Sequence, residues 1–233
     1  MHMSRTIRGI GSMATRGLML ELTAVYTRSS GVSVAFESVG GVEAARRVSS
    51  GEPFDLVVLA SDAIDKLAAD GKVDASRKVD VVRCGVAVAV LANAARPDIS
   101  SEDAVRQAVL EAERIACSTG PSGVALMALF ERWGIADTLR ERLMQAPAGV
   151  PVGSLIARGE AALGFQQLSE LMGVEGIALL GPLPAEIQIT TTFCAAPGTG
   201  TSQHDAVTDL LAYMRSRESE AAKRRFGMEP ADT

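Results

Sequence analysis

The stretch Pro53-Phe54-Asp55-Leu56-Val57-Val58-Leu59-Ala60-Ser61-Asp62 decides the fold class of this chain. Phe54 to Ala60 is an apolar run interrupted only by Asp55, with Pro53 before it and a hydroxyl and an acid after it. A strand covered on both faces needs apolar side chains on both, so the run predicts a buried strand of a parallel sheet. Ser61-Asp62 then predicts the cap of a helix with Ile64, Leu67 and Ala68 on its apolar face and Gly71 as its stop.

The same alternation continues outward in both directions. Upstream, Thr6 to Ile10 reads as a short strand ending in Gly11-Ser12. Leu18, Leu20, Leu22, Val25 and Tyr26 give helical spacing from Met13 to Ser29, stopped by Gly31. Val32, Val34 and Phe36 alternate as a half-buried strand, Gly40-Gly41 breaks it, and Val42 to Val48 is helical. Strand and helix in strict alternation over the first seventy residues predict a parallel sheet covered by helices.

Downstream, Val79 to Leu91 is a long extended stretch, and Gln188 to Ala195 is a second one. Between them the sequence predicts a helix from Ser100 or Ser101 to about Glu113 and a strand at Arg114 to Ser118. A helix opened by Pro121 and closed at Trp133-Gly134 follows, then short helices at Ala136 to Arg142 and Val150 to Ala157. Strands at Leu163 to Gln166 and Ile177 to Leu180 complete that region. Helices at His204 to Arg215 and Glu218 to Phe226 finish the chain. The two long extended stretches predict a discontinuous first lobe, residues 1–83 with 194–233, and an inserted second lobe, 84–193.

Composition narrows the function classes. With one Trp, two Tyr and six Phe there is little material for a base-stacking surface, and a net charge of −5 disfavours nucleic acid as a partner. Cys84, Cys117 and Cys194 are far apart and each sits in an apolar run, which predicts buried, reduced thiols. His2 and His204 are too few for a histidine-rich metal site, and Met1-His2-Met3 reads like a tag junction. No metal and no cofactor is expected. No apolar run approaches the ~20 residues of a membrane span, so no membrane insertion is expected. Arg5 and Arg8 precede Gly9 without an apolar region after them. The sequence as it stands therefore reads as cytoplasmic, or as periplasmic if a signal peptide has been removed.

Three strand-to-helix junctions share one chemistry: Gly11-Ser12-Met13-Ala14-Thr15, Ser38-Val39-Gly40-Gly41, and Ser118-Thr119-Gly120-Pro121-Ser122-Gly123. A helix N-terminus offers unpaired N–H groups and a partial positive charge. Glycine lets backbone approach a ligand, and serine adds an O–H donor. Such junctions hold small oxyanions without a lysine or arginine, although capping and turn formation call for the same residues. Ends of parallel strands are also where α/β ligands bind. The three junctions predict a small-anion site in a cleft between the lobes. Arg16, one turn into the first helix, is a candidate carboxylate partner.

At this point the chain resembles a family. The residues that carry the resemblance are Gly51 to Asp62 with the following helix and Gly71-Lys72-Val73, then Pro121-Ser122-Gly123 opening a helix that ends in Trp133-Gly134. It continues at Ala157-Arg158-Gly159-Glu160-Ala161-Ala162-Leu163-Gly164-Phe165 and at Glu220 to Ala231. Together they resemble the molybdate-type bacterial solute-binding proteins, over most of the chain. The resemblance implies an α/β, two-lobed periplasmic-binding-protein-like fold (type 2), each lobe a mainly parallel sheet flanked by helices and the two joined by two hinge strands. It also implies ligand contacts from Ser12 and Ser38, from the backbone at Ser122 and near Gly149-Val150, and an ABC-type permease as a partner.

Two departures from that family's pattern bear on the ligand. In molybdate binders a tyrosine closes the site after the glycine of the late strand. Here Gly164 is followed by Phe165-Gln166-Gln167, and Gln167 takes the tyrosine's place. The loop from Ser38 to Gly41 also runs about two residues longer. An amide both donates and accepts, which suits a carbon-based or partly protonated ligand better than a bare tetrahedral oxyanion. The candidate ligand-binding set is Gly11, Ser12, Arg16, Ser38, Gly40, Thr119, Ser122, Gly149, Gln166 and Gln167.

Gly9-x-Gly11-x-x-Ala14, with Glu37 ending the next strand, also matches a dinucleotide fingerprint, but Ser4 to Arg8 is too polar for a central strand of that fold. A serine hydrolase lacks its G-x-S-x-G and has only His204 as a base. Two functions remain. The first is delivery of a small anion, an oxyanion or a di- or tricarboxylate, to an ABC-type permease. The second is an isomerase resembling those that act on unsaturated tricarboxylates such as aconitate, in which Glu37, Ser12, Ser38, Thr119, Ser122, Gln166 and Arg16 are the available parts. The sequence places binding ahead of catalysis, because no side chain stands out as the base.

Overall fold

The computed structural model describes residues 6–147 and 149–231. His2 and the polar residues Ser4 and Arg5 lie outside them. The chain forms two compact units, one of residues 1–83 with 192–233 and one of residues 84–191.

In the first unit, β1 (Thr6–Ser12) runs through a single 3-10 turn into α1 (Arg16–Ser30). Then come β2 (Ser33–Val39), α2 (Gly41–Ser49), β3 (Leu56–Ala60) and α3 (Ser61–Ala69). β1 is the centre of this part, pairing in parallel with β2 on one side and β3 on the other. All five residues of β3 are buried, as its unbroken apolar run requires. The strand begins two residues later than the run, because Phe54 turns aside to lie under the guanidinium groups of Arg8 and Arg47, at 5.4 and 5.3 Å from its ring centre. Ser61 does not cap α3. Ala60 is the N-cap, and the Ser61 hydroxyl in the first turn instead accepts from Lys78 Nζ at 2.7 Å.

β4 (Val79–Leu91) is the long extended stretch, with residues in both units. The second unit continues with α4 (Glu102–Glu111), β5 (Ile115–Cys117), α5 (Pro121–Arg132), α6 (Ala136–Leu139), β6 (Leu143–Gln145), α7 (Val152–Ala157), β7 (Leu163–Gln167), α8 (Leu168–Leu171) and β8 (Ile177–Pro182). β5 pairs in parallel with β6 and β7, and β4 runs antiparallel to β7 and β8. The alternating Val-Ala pattern of β4 sorts the two faces. Val86, Val88 and Val90 pack with Phe130 and Phe165 under α4 and α5, while Ala87 and Ala89 meet the smaller layer of Val152 and Ile156 in α7.

The chain returns through β9 (Thr190–Pro197), antiparallel to β3, and closes with α9 (His204–Arg215), α10 (Glu220–Arg225) and the short β10 (Glu229–Pro230) beside β4. β6, α8 and β10 are absent from the sequence reading, since two to four residues are too few to show a period. The three cysteines are buried and form no disulfide among the described residues.

Candidate functional site

The strand ends of the first unit are built around two glycines. A Cβ on Gly9 or Gly11 would fall 2.4 or 2.7 Å from the Phe36 ring, so these positions are glycine because an aromatic ring lies flat on β1. That packing accounts for the Gly9-x-Gly11 pattern without a dinucleotide. Gly11 faces Ser38 across the parallel pair and Ser12 faces Val39. Strand alternation therefore sends Ser38 to the face that carries Phe36, and Ser12 to the opposite one, where Ile10 packs with Ala44 of α2 and Ile64 of α3. The structure does not bring the two hydroxyls to one face of the sheet.

Ser12 closes β1 as a cap. Its Oγ accepts from Ala14 N at 3.3 Å, and its carbonyl accepts from the Thr15 hydroxyl at 3.0 Å. The same Oγ lies 3.6 Å from where a Cβ on Gly41 would stand, so Ser12 and the start of α2 are neighbours, with Gly40 as the α2 N-cap. Arg16 opens α1 and is exposed, and its side chain makes no hydrogen bond or ion pair among the described residues. Glu37 is not free: both of its oxygens accept from Arg47 at 2.9 Å, and Arg47 also clasps Glu52. His204, at the start of α9, approaches Arg77, and among the described residues its ring has no serine partner of the kind a hydrolytic base needs.

In the second unit, β5 and β7 run side by side, with Cys117 opposite Phe165, so the residues that follow them emerge at one sheet edge. After β5, Ser118 and the buried Ser122 share a hydrogen bond of 3.1 Å between their hydroxyls at the first turn of α5. Gly123 is forced by this turn, since a Cβ there would sit 1.8 Å from the Ser118 carbonyl oxygen. Thr119 is exposed, Gly120 is the N-cap, and Gly149 occupies a left-handed turn at φ 77° ahead of α7.

At the end of β7 two buried amides point to opposite faces. Gln166 is tied at both ends: its Oε1 accepts from Val152 N at 2.9 Å, and its Nε2 donates to Glu170 at 2.9 Å. Gln167 donates from Nε2 to the Thr191 hydroxyl at 2.7 Å, while its buried Oε1 has no partner among the described residues. Amide oxygen and nitrogen exchange under a half-turn, so the observation is one unmet amide atom, calling for a donor or an acceptor from outside the chain.

Glu170 is the residue the sequence reading passed over. It lies in α8, a one-turn helix with no visible period, and nothing in its local sequence marks it. Burial pushes its carboxyl up to about 7, against the pull of the single bond from Gln166. No cation pairs with it among the described residues. β7, α7 and β8, which pack on α8, carry no ionisable side chain, and the buried Cys84 thiol of β4 feels its charge. Among the described residues no group of three or more His, Cys, Asp and Glu side chains is placed to hold a metal ion, and no helix is long and apolar enough to cross a membrane.

With that geometry in hand, the chain can be set beside known proteins. The profile of the family described as bacterial extracellular solute-binding protein matches residues 7–229. An aconitate isomerase from a Pseudomonas species is 35% identical over 97% of this chain and 88% of its own length. Among solved structures, the periplasmic molybdate-binding protein of Azotobacter vinelandii superposes with a TM-score of 0.79 at 18% identity, covering 97% of this chain and all 100% of its own. The sulfate-binding protein of Mycobacterium tuberculosis gives 0.79 at 16% identity, over 98% of this chain and 88% of its own. The fold is thus the type 2 periplasmic-binding-protein-like one that the sequence resembles.

Proposed function

The chain belongs to the bacterial extracellular solute-binding protein family, and on that premise we propose that it binds a small anion bearing several carboxylates and shifts a proton within it, with aconitate as the substrate class. The observation that carries this reading past the fold is the 35% identity to an aconitate isomerase along nearly the whole chain. The strand ends support it with hydroxyl and amide donors rather than a metal cluster or a ring of lysines.

The reaction is a 1,3-shift. A base removes a proton from the methylene carbon beside one carboxylate, and the electron pair left behind spreads over the allylic carbons and a carboxylate. The proton then returns to the far allylic carbon as the double bond moves, so no oxidant and no second substrate is needed. Donors fixed in place before the reaction, such as the Ser122 hydroxyl and the α5 N-terminal amides, lower the energy of that delocalised anion. Gln167 supplies the amide that a partly protonated or carbon-based ligand satisfies.

The test is direct. Purified protein is incubated in deuterated water with cis-aconitate, and separately with trans-aconitate, and followed by NMR. Interconversion with deuterium entering the methylene position is expected. A folded protein that leaves both isomers unchanged overturns the isomerase reading.

A second reading is favoured by the family's description and by the molybdate- and sulfate-binding structures. In it the protein delivers its anion unchanged to an ABC-type permease. Calorimetry against molybdate, tungstate, sulfate, citrate and the aconitates separates the two: tight binding without turnover is the result this second reading expects.

A further inference from the structure

The isomerase reading requires a base, and on that reading we propose that Glu170 is the side chain that carries the proton between the two allylic carbons of the substrate. Of the other acids near strand ends, Glu37 and Glu52 share Arg47, Asp65 holds Lys78, Asp55 accepts from Arg8 N, the Thr201 hydroxyl and Gln203 Nε2, and Asp62 in the first turn of α3 is exposed to solvent. Among the described residues Glu170 has one neutral donor and no cation. A carboxylate meant only to hold the fold together would be expected to have a cation or several N–H donors, because an isolated buried charge is costly.

Its position adds to this. Glu170 follows β7 by three residues, on the edge where β5 delivers Ser118 and Ser122, and its bond to Gln166 puts it on the face opposite the Gln167 amide. Gln166 fixes its direction. With Oε1 anchored on the Val152 amide, the Gln166 side chain is rigid, and its Nε2 holds one Glu170 oxygen while the other is left to take a proton. An acid buried without a counter-charge titrates near neutral pH, where a group that both takes and returns a proton works best. Gln166 becomes a positioning residue under this assignment, acting through Glu170 and not on the substrate.

The experiment uses the full chain with cis- and trans-aconitate and the variants Glu170→Gln and Glu170→Asp. Glu170→Gln is expected to bind aconitate within a few-fold of the parent by calorimetry while losing about 10²–10⁴-fold in isomerisation and deuterium uptake. The parent's kcat/KM should rise with pH on a limb near 7, and Glu170→Asp should move that limb while keeping partial activity. Isomerisation by Glu170→Gln within about tenfold of the parent overturns the assignment and leaves the isomerase reading standing. Absence of turnover by the parent overturns both. If Glu170→Gln does not fold, a parent pH profile without the limb near 7 overturns the assignment alone.

Discussion

Glu37 and Glu170 are both acids at or just past the end of a parallel strand, one in each unit, and the structure treats them oppositely. Glu37 is gripped by a guanidinium that also holds Glu52 and lies on Phe54. Glu170 has one amide donor, and burial holds its carboxyl up to about 7. The first unit has neutralised its strand-end charge into architecture. The second has left one charge uncompensated, and the difference separates an acid that stabilises from an acid poised for chemistry.

The largest expected effect breaks the second unit's edge outright. Gly123→Ala would place a methyl 1.8 Å from a backbone carbonyl, and backbone cannot swing aside as a side-chain tip can. The α5 N-terminus must shift, with a loss of about 3 kcal/mol or more in urea unfolding and loss of ligand binding. Unchanged stability would show that the Ser118 turn is not held as described.

Glu170→Gln sharpens the comparison through stability and pH. The Glu170 carboxyl titrates near 4.5 when unfolded and about 7 when folded. Below pH 4.5 both states hold the proton and nothing is lost. As pH rises from 4.5 to 7 the unfolded chain releases its proton while the folded one keeps it, so stability falls, and above 7 it levels off. The total is about 3 kcal/mol, by the worth of a pKa shift. Glutamine does not titrate, so the variant should gain on the parent by that amount between pH 4.5 and 7.5. A constant gap across that range would place Glu170 in an ordinary, solvated setting.

Two serines allow a finer contrast between the units. Ser12→Ala removes the cap that receives Ala14 N, and Ser122→Ala removes the hydroxyl partner of Ser118. Each should cost about 1 kcal/mol in thermal unfolding. On the proposed function Ser122→Ala should also weaken aconitate binding by about tenfold, the worth of one hydrogen bond to a charged group. Lost stability with unchanged affinity would make Ser122 a structural partner of Ser118 alone.

How much of this was readable beforehand follows from how far apart the relevant residues lie. β3 and β4 are legible because a buried strand must be apolar residue by residue, and Val79–Leu91 is recovered to both its ends. The Ser12, Ser38 and Ser122 junctions are legible as turn chemistry, but the opposite facing of Ser12 and Ser38 depends on the pairing register of β1 with β2. Glu170 was not legible. Its environment comes from Gln166, from the Val152 amide fourteen residues before that, and from the absence of charge on three neighbouring elements. Glu37 looked better placed because the arginine that neutralises it sits ten residues on, in the next helix, where only the fold brings the two together.

That arginine supplies the smallest effect and the sharpest control. Glu37→Gln keeps the shape of the side chain and removes one of the two acids that Arg47 serves, leaving Glu52 to hold the guanidinium with two contacts of its own. If strand-end charge in the first unit is architectural, isomerisation and aconitate affinity should stay within about twofold of the parent, as for an ion pair outside the reacting site. The expectation is strict, because Glu37 is the acid that the sequence alone puts forward. A fall of a hundredfold in turnover with binding retained would reverse the roles assigned to the two glutamates and move the proton-carrying group into the first unit.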